Sequence, residues 1–127
     1  MQIDTLTIPD DFEWTDELSW SRWASSREYS LGGALLIDRA EKLAGRPITL
    51  AGGDGVWLTR AELAPLLALA DSGAPSMPLT LYDGREFTVA FDYANGAPVT
   101  AEPLYRETAP GADQIMTNIT IKLITVE

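Results

Sequence analysis

The side chains in this sequence that could do chemistry are carboxylates, and they crowd one segment near the N-terminus. Residues 10–23, "DDFEWTDELSWSRW", contain five of them: Asp10, Asp11, Glu13, Asp16 and Glu17. Two suitably placed carboxylic acids suffice for glycoside hydrolysis, and the neighbouring tryptophans are of the type that stacks on sugar rings. We favour the simpler interpretation, a solvated acidic surface, because Asp and Glu are normally exposed.

The other common catalytic chemistries lack their residues. The sequence contains no histidine and no cysteine, which excludes Ser-His and Cys-His nucleophiles, histidine or thiolate metal sites, and disulfides. Neither "DDFEWTDE" nor "GGDGVW" has the alternating oxygen ligands and closing Glu of a calcium loop. Val56–Leu58 separate the glycines of "AGGDGVWL" from the following helix, so they do not form a phosphate loop. We predict no catalytic residue, no metal, no cofactor and no enzyme activity.

The charge of the chain limits its partners. The formal net charge is −10, and no Lys or Arg occurs before Arg22. Nucleic acids and anionic membranes are bound by basic patches, so neither is an expected partner. The N-terminus has no basic region followed by an apolar run, and no apolar segment approaches the roughly 20 residues of a membrane helix. We therefore expect a soluble protein without a signal peptide.

The size and composition predict one domain. A chain of 127 residues with 46% hydrophobic content can fill a single core. We assign residues 1–127 to this domain, with residues 1–30 as an acidic, tryptophan-rich arm or edge segment.

One helix is predicted, over about residues 60–71. Thr59 and Glu62 have the spacing of a capping box, and Gly73 is a stop signal. One face of this helix is apolar: Leu63, Leu66, Leu67 and Ala70. Pro65 removes a helical hydrogen bond, so we expect a kink or a short first turn. Trp57 is expected to pack onto the helix as core.

The remaining chain has the pattern of β-strands. "IDTLTI", from Ile3 to Ile8, predicts a first strand, "ALLIDRAEKLAG" a strand and a turn, and "PITLAG" a short strand. "MPLTLYDGREFTVAFDY" predicts a hairpin in which Asp83 and Gly84 both take positive φ. "PVTAEPLY" adds another strand. In "QIMTNITIKLITVE" the alternation slips, which indicates a bulge near Leu123 or burial of both faces.

The predicted fold is therefore mainly β (α+β). The pattern fits a β-sandwich or split barrel of about seven strands, with one helix packed on it.

Four short words occur in an order that resembles small tail-tip or baseplate structural proteins of long-tailed (siphovirus-like) bacteriophages. They are "GRPITL" (45–50), "WLTRAEL" (57–63), "LYDGREFTVAF" (81–91) and the closing "IKLITVE". This similarity spans roughly residues 30–127. More loosely, the chain is similar to the β-sandwich or split-barrel module, with one helix, that recurs in distal tail proteins and tail tubes.

The resemblance implies a non-enzymatic virion component that is made in the host cytoplasm. It implies assembly into a ring around the tail axis, with a hexamer as the first guess, and contacts with other tail proteins. No functional residue carries over, because such proteins have no catalytic motif.

A ring subunit must bury surface against its neighbours, and interface cores are enriched in Trp, Tyr, Phe and Arg. The segment at 10–23 has this composition. The predicted interface residues are Phe12, Trp14, Trp20, Arg22 and Trp23. The alternative, that the three tryptophans belong to the core of the subunit, stays open.

Two other functions also stay open. A stand-alone β-sandwich module could bind carbohydrate or peptide through tryptophan-rich loops. A carboxylate-based, glycosidase-like enzyme is the second alternative.

Overall fold

The computed structural model describes residues 1–94 and 96–126, and this part of the chain is mainly β. It contains the helix α1, Arg60–Asp71, and a short 3-10 turn, Gly53–Gly55. Eleven strands surround them: β1 (Gln2–Ile3), β2 (Leu6–Thr7), β3 (Glu13–Trp14), β4 (Trp23–Tyr29), β5 (Leu35–Glu41), β6 (Pro47–Ala51), β7 (Leu58–Thr59), β8 (Met77–Thr80), β9 (Glu86–Phe91), β10 (Val99–Pro103) and β11 (Ile115–Thr125). Four of these strands have only two residues each, which is too short for an alternating pattern to be recognised in the sequence. The sequence therefore predicts only the other strands, about seven.

The main sheet is antiparallel and is built around β11. Its strand order is β2-β1-β8-β9-β11-β6-β3, while β10 and β7 also pair with β11. Because β11 is long, it pairs with β10 and then β9 along one edge, and with β7 and then β6 along the other. Ile119, Ile121 and Leu123 are consequently buried at the centre of the core.

The second sheet is a hairpin formed by β4 and β5, which within residues 1–94 and 96–126 pair only with each other. Every residue of these two strands is exposed. The hairpin therefore projects from the body and adds no second layer to it. The prediction of a mainly-β fold with one packed helix is confirmed, and the main sheet is not closed into a barrel.

Helix α1 begins and ends where its local signals predict. Thr59 and Glu62 form the capping box, and Gly73 lies just beyond the last turn with φ 67°. The helix contributes Leu63, Leu66 and Ala70 to the core and continues through Pro65 without a break, whereas Leu67 of the predicted apolar face is exposed.

The expectation that Trp57 packs as core is wrong, since its side chain is 57% exposed. Its indole Nε1 donates to the Asp54 carbonyl within the preceding turn. Leu58 occupies the position before the N-cap and is buried in the same cluster as Leu63, four residues into the helix. This is the spacing of a hydrophobic staple, which Trp57 is one residue too early to form.

The predicted first strand is divided into two. Asp4, with φ 53°, turns the chain between β1 and β2, and β1 joins the main sheet beside β8. Residues 1–14 of the predicted arm therefore lie in or against the main sheet, with Ile3 and Ile8 buried. Only its last part, in β4, projects.

The β8–β9 turn differs from the predicted two-residue form. Only Gly84 has positive φ, at 89°, and Asp83 does not. The Leu81 N–H donates to the Arg85 carbonyl, and the Gly84 N–H to that of Leu81, which is a three-residue loop with a bulge at the glycine. The bulge expected near Leu123 lies instead at Asn118, which has φ 50° where the β10–β11 register shifts.

Candidate interaction surface

Two of the five predicted interface residues lie in the core of the chain itself. Phe12 is buried, and Trp14 is 9% exposed. The Trp14 ring packs edge-on against Phe87, with centroids 5.7 Å apart, and its Nε1 donates to the Pro47 carbonyl at 3.3 Å. The interface prediction is corrected for these two side chains: β3 pairs with β6 and turns Trp14 inward.

Two of the three tryptophans near the N-terminus belong to a ladder of alternating cations and rings, here called the Trp–Arg stack. Its members are Arg85, Trp14, Arg46, Trp20 and Lys42. The Arg46 guanidinium lies 4.5 Å from the Trp14 centroid and 5.6 Å from that of Trp20. Each such contact contributes about 0.5–2 kcal/mol, more where water is excluded.

Arg46 is the centre of this stack. Its Nη2 donates to the Glu17 carbonyl at 3.0 Å, whereas its buried Nε has no hydrogen-bond partner in the described part of the chain. The faces of the Trp14 and Trp20 rings stabilise the positive charge, which is delocalised over the whole Arg46 guanidinium including Nε. The stack thereby holds the loop that carries Trp20 against the start of β6.

Two of the clustered acids have structural roles. The Asp16 carboxylate accepts hydrogen bonds from the Thr49 N–H, at 3.0 Å, and from its hydroxyl, at 2.9 Å, which covers an open edge of β6. Glu17 accepts from Arg85 at 3.0 Å. That hydrogen bond, reinforced by Asp83, raises the pKa of the Arg85 guanidinium.

The other three acids line an open cleft, here called the acidic cleft. It is bounded by residues 10–15 and 17–19 and by Tyr82. Asp10 pairs with the N-terminal amine, while Asp11 and Glu13 are exposed and have no partner among residues 1–94 and 96–126. Leu18 and Tyr82 add exposed apolar surface at its rim. Within the described residues, no group of three or more acids is placed to hold a metal ion.

The last three predicted residues lead into the hairpin. Trp20 is partly exposed in the stack, Arg22 forms an exposed ion pair with Glu41, and Trp23 is 53% exposed as the first residue of β4. Only Arg22 and Trp23 therefore present mainly exposed surface, at the base of the β4–β5 hairpin.

Sequence reasoning missed the exposed apolar surface of the hairpin. Its exposed large side chains are Trp23, Tyr29, Leu31, Leu35, Leu36 and Ile37. The run "ALLI" has the pattern of a core strand, and nothing in it reveals that no second layer covers it. Exposed apolar side chains gathered on one element often mark an interaction site in folded proteins.

The hairpin has two unlike faces. Residues paired directly across antiparallel strands point to the same side, and the sides alternate along the strand. The arginine face carries Trp23, Ser25, Arg27, Tyr29, Leu35, Ile37, Arg39 and Glu41. The acidic face carries Ala24, Ser26, Glu28, Leu36, Asp38 and Ala40. One side therefore carries two large aromatic rings and two arginines that have no ion pair among the described residues, and the other carries Leu36 with small or acidic side chains.

No helix of the described residues is long and apolar enough to cross a membrane. No family model matches the chain, and no curated protein or solved structure matches it either.

Proposed function

We propose that this chain is a non-enzymatic structural subunit of a bacteriophage tail tip or baseplate, which assembles with itself around the tail axis and contacts neighbouring tail proteins. One observation supports self-assembly above the others: the β4–β5 hairpin exposes its apolar side chains, and no other described part of the chain covers it. The assignment to a phage tail rests on the resemblance of the four sequence words.

The energetics of the hairpin favour a partner. A two-stranded hairpin is at best marginally stable alone in water. Burial of one large apolar side chain yields about 1.5–3 kcal/mol, so covering several of those on the hairpin would stabilise both its fold and the contact. We therefore expect the exposed residues of the hairpin to be covered by a partner.

The shape of the surface favours a ring. The hairpin projects from the body, and a contact between it and a different surface of the next subunit would be head-to-tail. Such a head-to-tail contact closes into a ring when the rotation per subunit allows it, and otherwise gives a filament. A sixfold ring remains the first expectation.

Mass spectrometry of purified phage particles whose genome encodes this chain tests the proposal. We expect its peptides in intact particles, at a copy number that is a small multiple of the tail symmetry when calibrated against the tail-tube protein. Particles freed of loosely bound host protein by a density gradient are the control for contamination. Absence of the chain from such particles would reject the proposed function.

A further inference from the structure

We infer that the arginine face of one copy docks on the acidic cleft of a second copy. This inference rests on the proposed self-assembly and specifies its contact. The first support is composition: Trp23 and Tyr29 lie on the same face as Arg27 and Arg39. Trp, Tyr and Arg are the residue types that most often dominate binding energy at protein interfaces.

Charge complementarity identifies the second surface. Arg27 and Arg39 are exposed and have no hydrogen bond or ion pair within the described residues. Asp11 and Glu13 at the acidic cleft are likewise exposed and unpaired there. Two cations and two carboxylates are thus without partners on different surfaces of one molecule.

The apolar parts of the two surfaces also match. On the hairpin, Tyr29, Leu35 and Ile37 form an apolar end of the arginine face. At the cleft, Leu18 is 95% exposed, and the Tyr82 ring is exposed beside it. An apolar centre ringed by charged pairs is the usual arrangement of a specific interface.

The hairpin does not fill the cleft of its own chain. Both strands are exposed along their whole length, and they pair only with each other. Each copy therefore has one free hairpin and one free cleft. The acidic face, with Glu28 and Asp38, would be repelled by the cleft, so the charges also select which side of the hairpin docks.

A charge exchange on full-length chains tests the contact. In the hairpin variant, Arg27→Glu and Arg39→Glu are combined; in the cleft variant, Asp11→Arg and Glu13→Arg are combined. Neither should associate with itself, because like charges then face each other. We expect self-association at least ~100-fold weaker than wild type, measured by analytical ultracentrifugation over a concentration series.

Restoration is the decisive part of the experiment. A mixture of the two variants, or one chain with all four changes, should associate again, because opposite charges then meet at the hairpin–cleft contacts. The matched control is Glu28→Gln with Asp38→Asn on the acidic face, which should associate as wild type does. Circular dichroism of every variant monitors folding.

Three results would overturn the inference. They are a wild-type chain that stays monomeric at all concentrations, charge variants that associate like wild type, and a mixture that fails to restore association although both variants are folded. The second and third results leave the proposed ring intact with a different contact. Absence from particles would reject the tail function without bearing on this contact.

Discussion

At the scale of single residues, the segment at 10–23 combines two roles that its composition cannot separate. Trp14 packs against Phe87 and the Arg46 guanidinium, and so belongs to the core. The Asp16 carboxylate accepts a hydrogen bond from the Thr49 N–H at the edge of β6, whereas Asp11 and Glu13 remain exposed. The same residue types therefore stabilise the fold at some positions and form surface at others.

Truncation of Trp14 and Trp57 should separate core from surface tryptophan. Trp14→Ala should lower the free energy of unfolding by about 3–5 kcal/mol, because it removes a buried ring and leaves a cavity. Trp57→Ala, the matched control, should change it by less than about 1 kcal/mol, since the ring is mostly exposed. Urea unfolding followed by circular dichroism measures both. Equal effects would contradict the burial described for these rings.

At the scale of elements, the β4–β5 and β8–β9 hairpins turn in the same way. The β4–β5 loop has the Ser30 N–H donating to the Ala34 carbonyl and the Gly33 N–H to that of Ser30, as at Leu81, Gly84 and Arg85. In each loop the glycine has positive φ. A left-handed glycine there lets the strands keep their right-handed twist across a three-residue connection.

Replacement of Gly84 tests this geometry. Gly84→Ala should destabilise the protein by about 1–2 kcal/mol, because an L side chain is strained at a left-handed position. Gly55→Ala is the control: Gly55 has no positive φ, and an added Cβ there meets no neighbouring atom. It should be neutral or slightly stabilising. Matching thermal melts for the two variants would show that Gly84 is not held in the left-handed region.

At the scale of the whole molecule, the body and the hairpin are distinct in their packing. The buried hydrophobic cluster of the body includes residues of the main sheet and of α1, and β4 and β5 contribute none of them. The stability of the body should then be largely independent of the hairpin, whereas association should depend on it.

Removal of the hairpin tests this separation. Residues 25–39 are replaced by Asn-Gly, so that Ala24 and Ala40, which already pair, flank a two-residue turn. We expect a folded, monomeric variant whose melting temperature lies within a few degrees of wild type, since no buried side chain is removed. Differential scanning calorimetry and size-exclusion chromatography measure these properties. An unfolded or aggregated product would show that the hairpin supports the body.

The features that the sequence determined by itself are those whose causes lie within a few residues. The Thr59–Glu62 capping box, the stop at Gly73 and the alternation in β9 are local, because each depends on the backbone or on the period of one element. The sequence predicts them correctly because they do not depend on tertiary contacts. The divided first strand was missed because β1 and β2 have two residues each and depend on β8 for pairing.

Only the tertiary structure decided which apolar residues are covered. Trp14 is buried because β3 pairs with β6, more than thirty residues further along the chain, and brings Arg46 and Pro47 to its ring. The hairpin is exposed because no other element of the described chain packs on it, although the run "ALLI" at the start of β5 has the pattern of a core strand. Burial depends on distant partners, and a local pattern of residue types does not specify them.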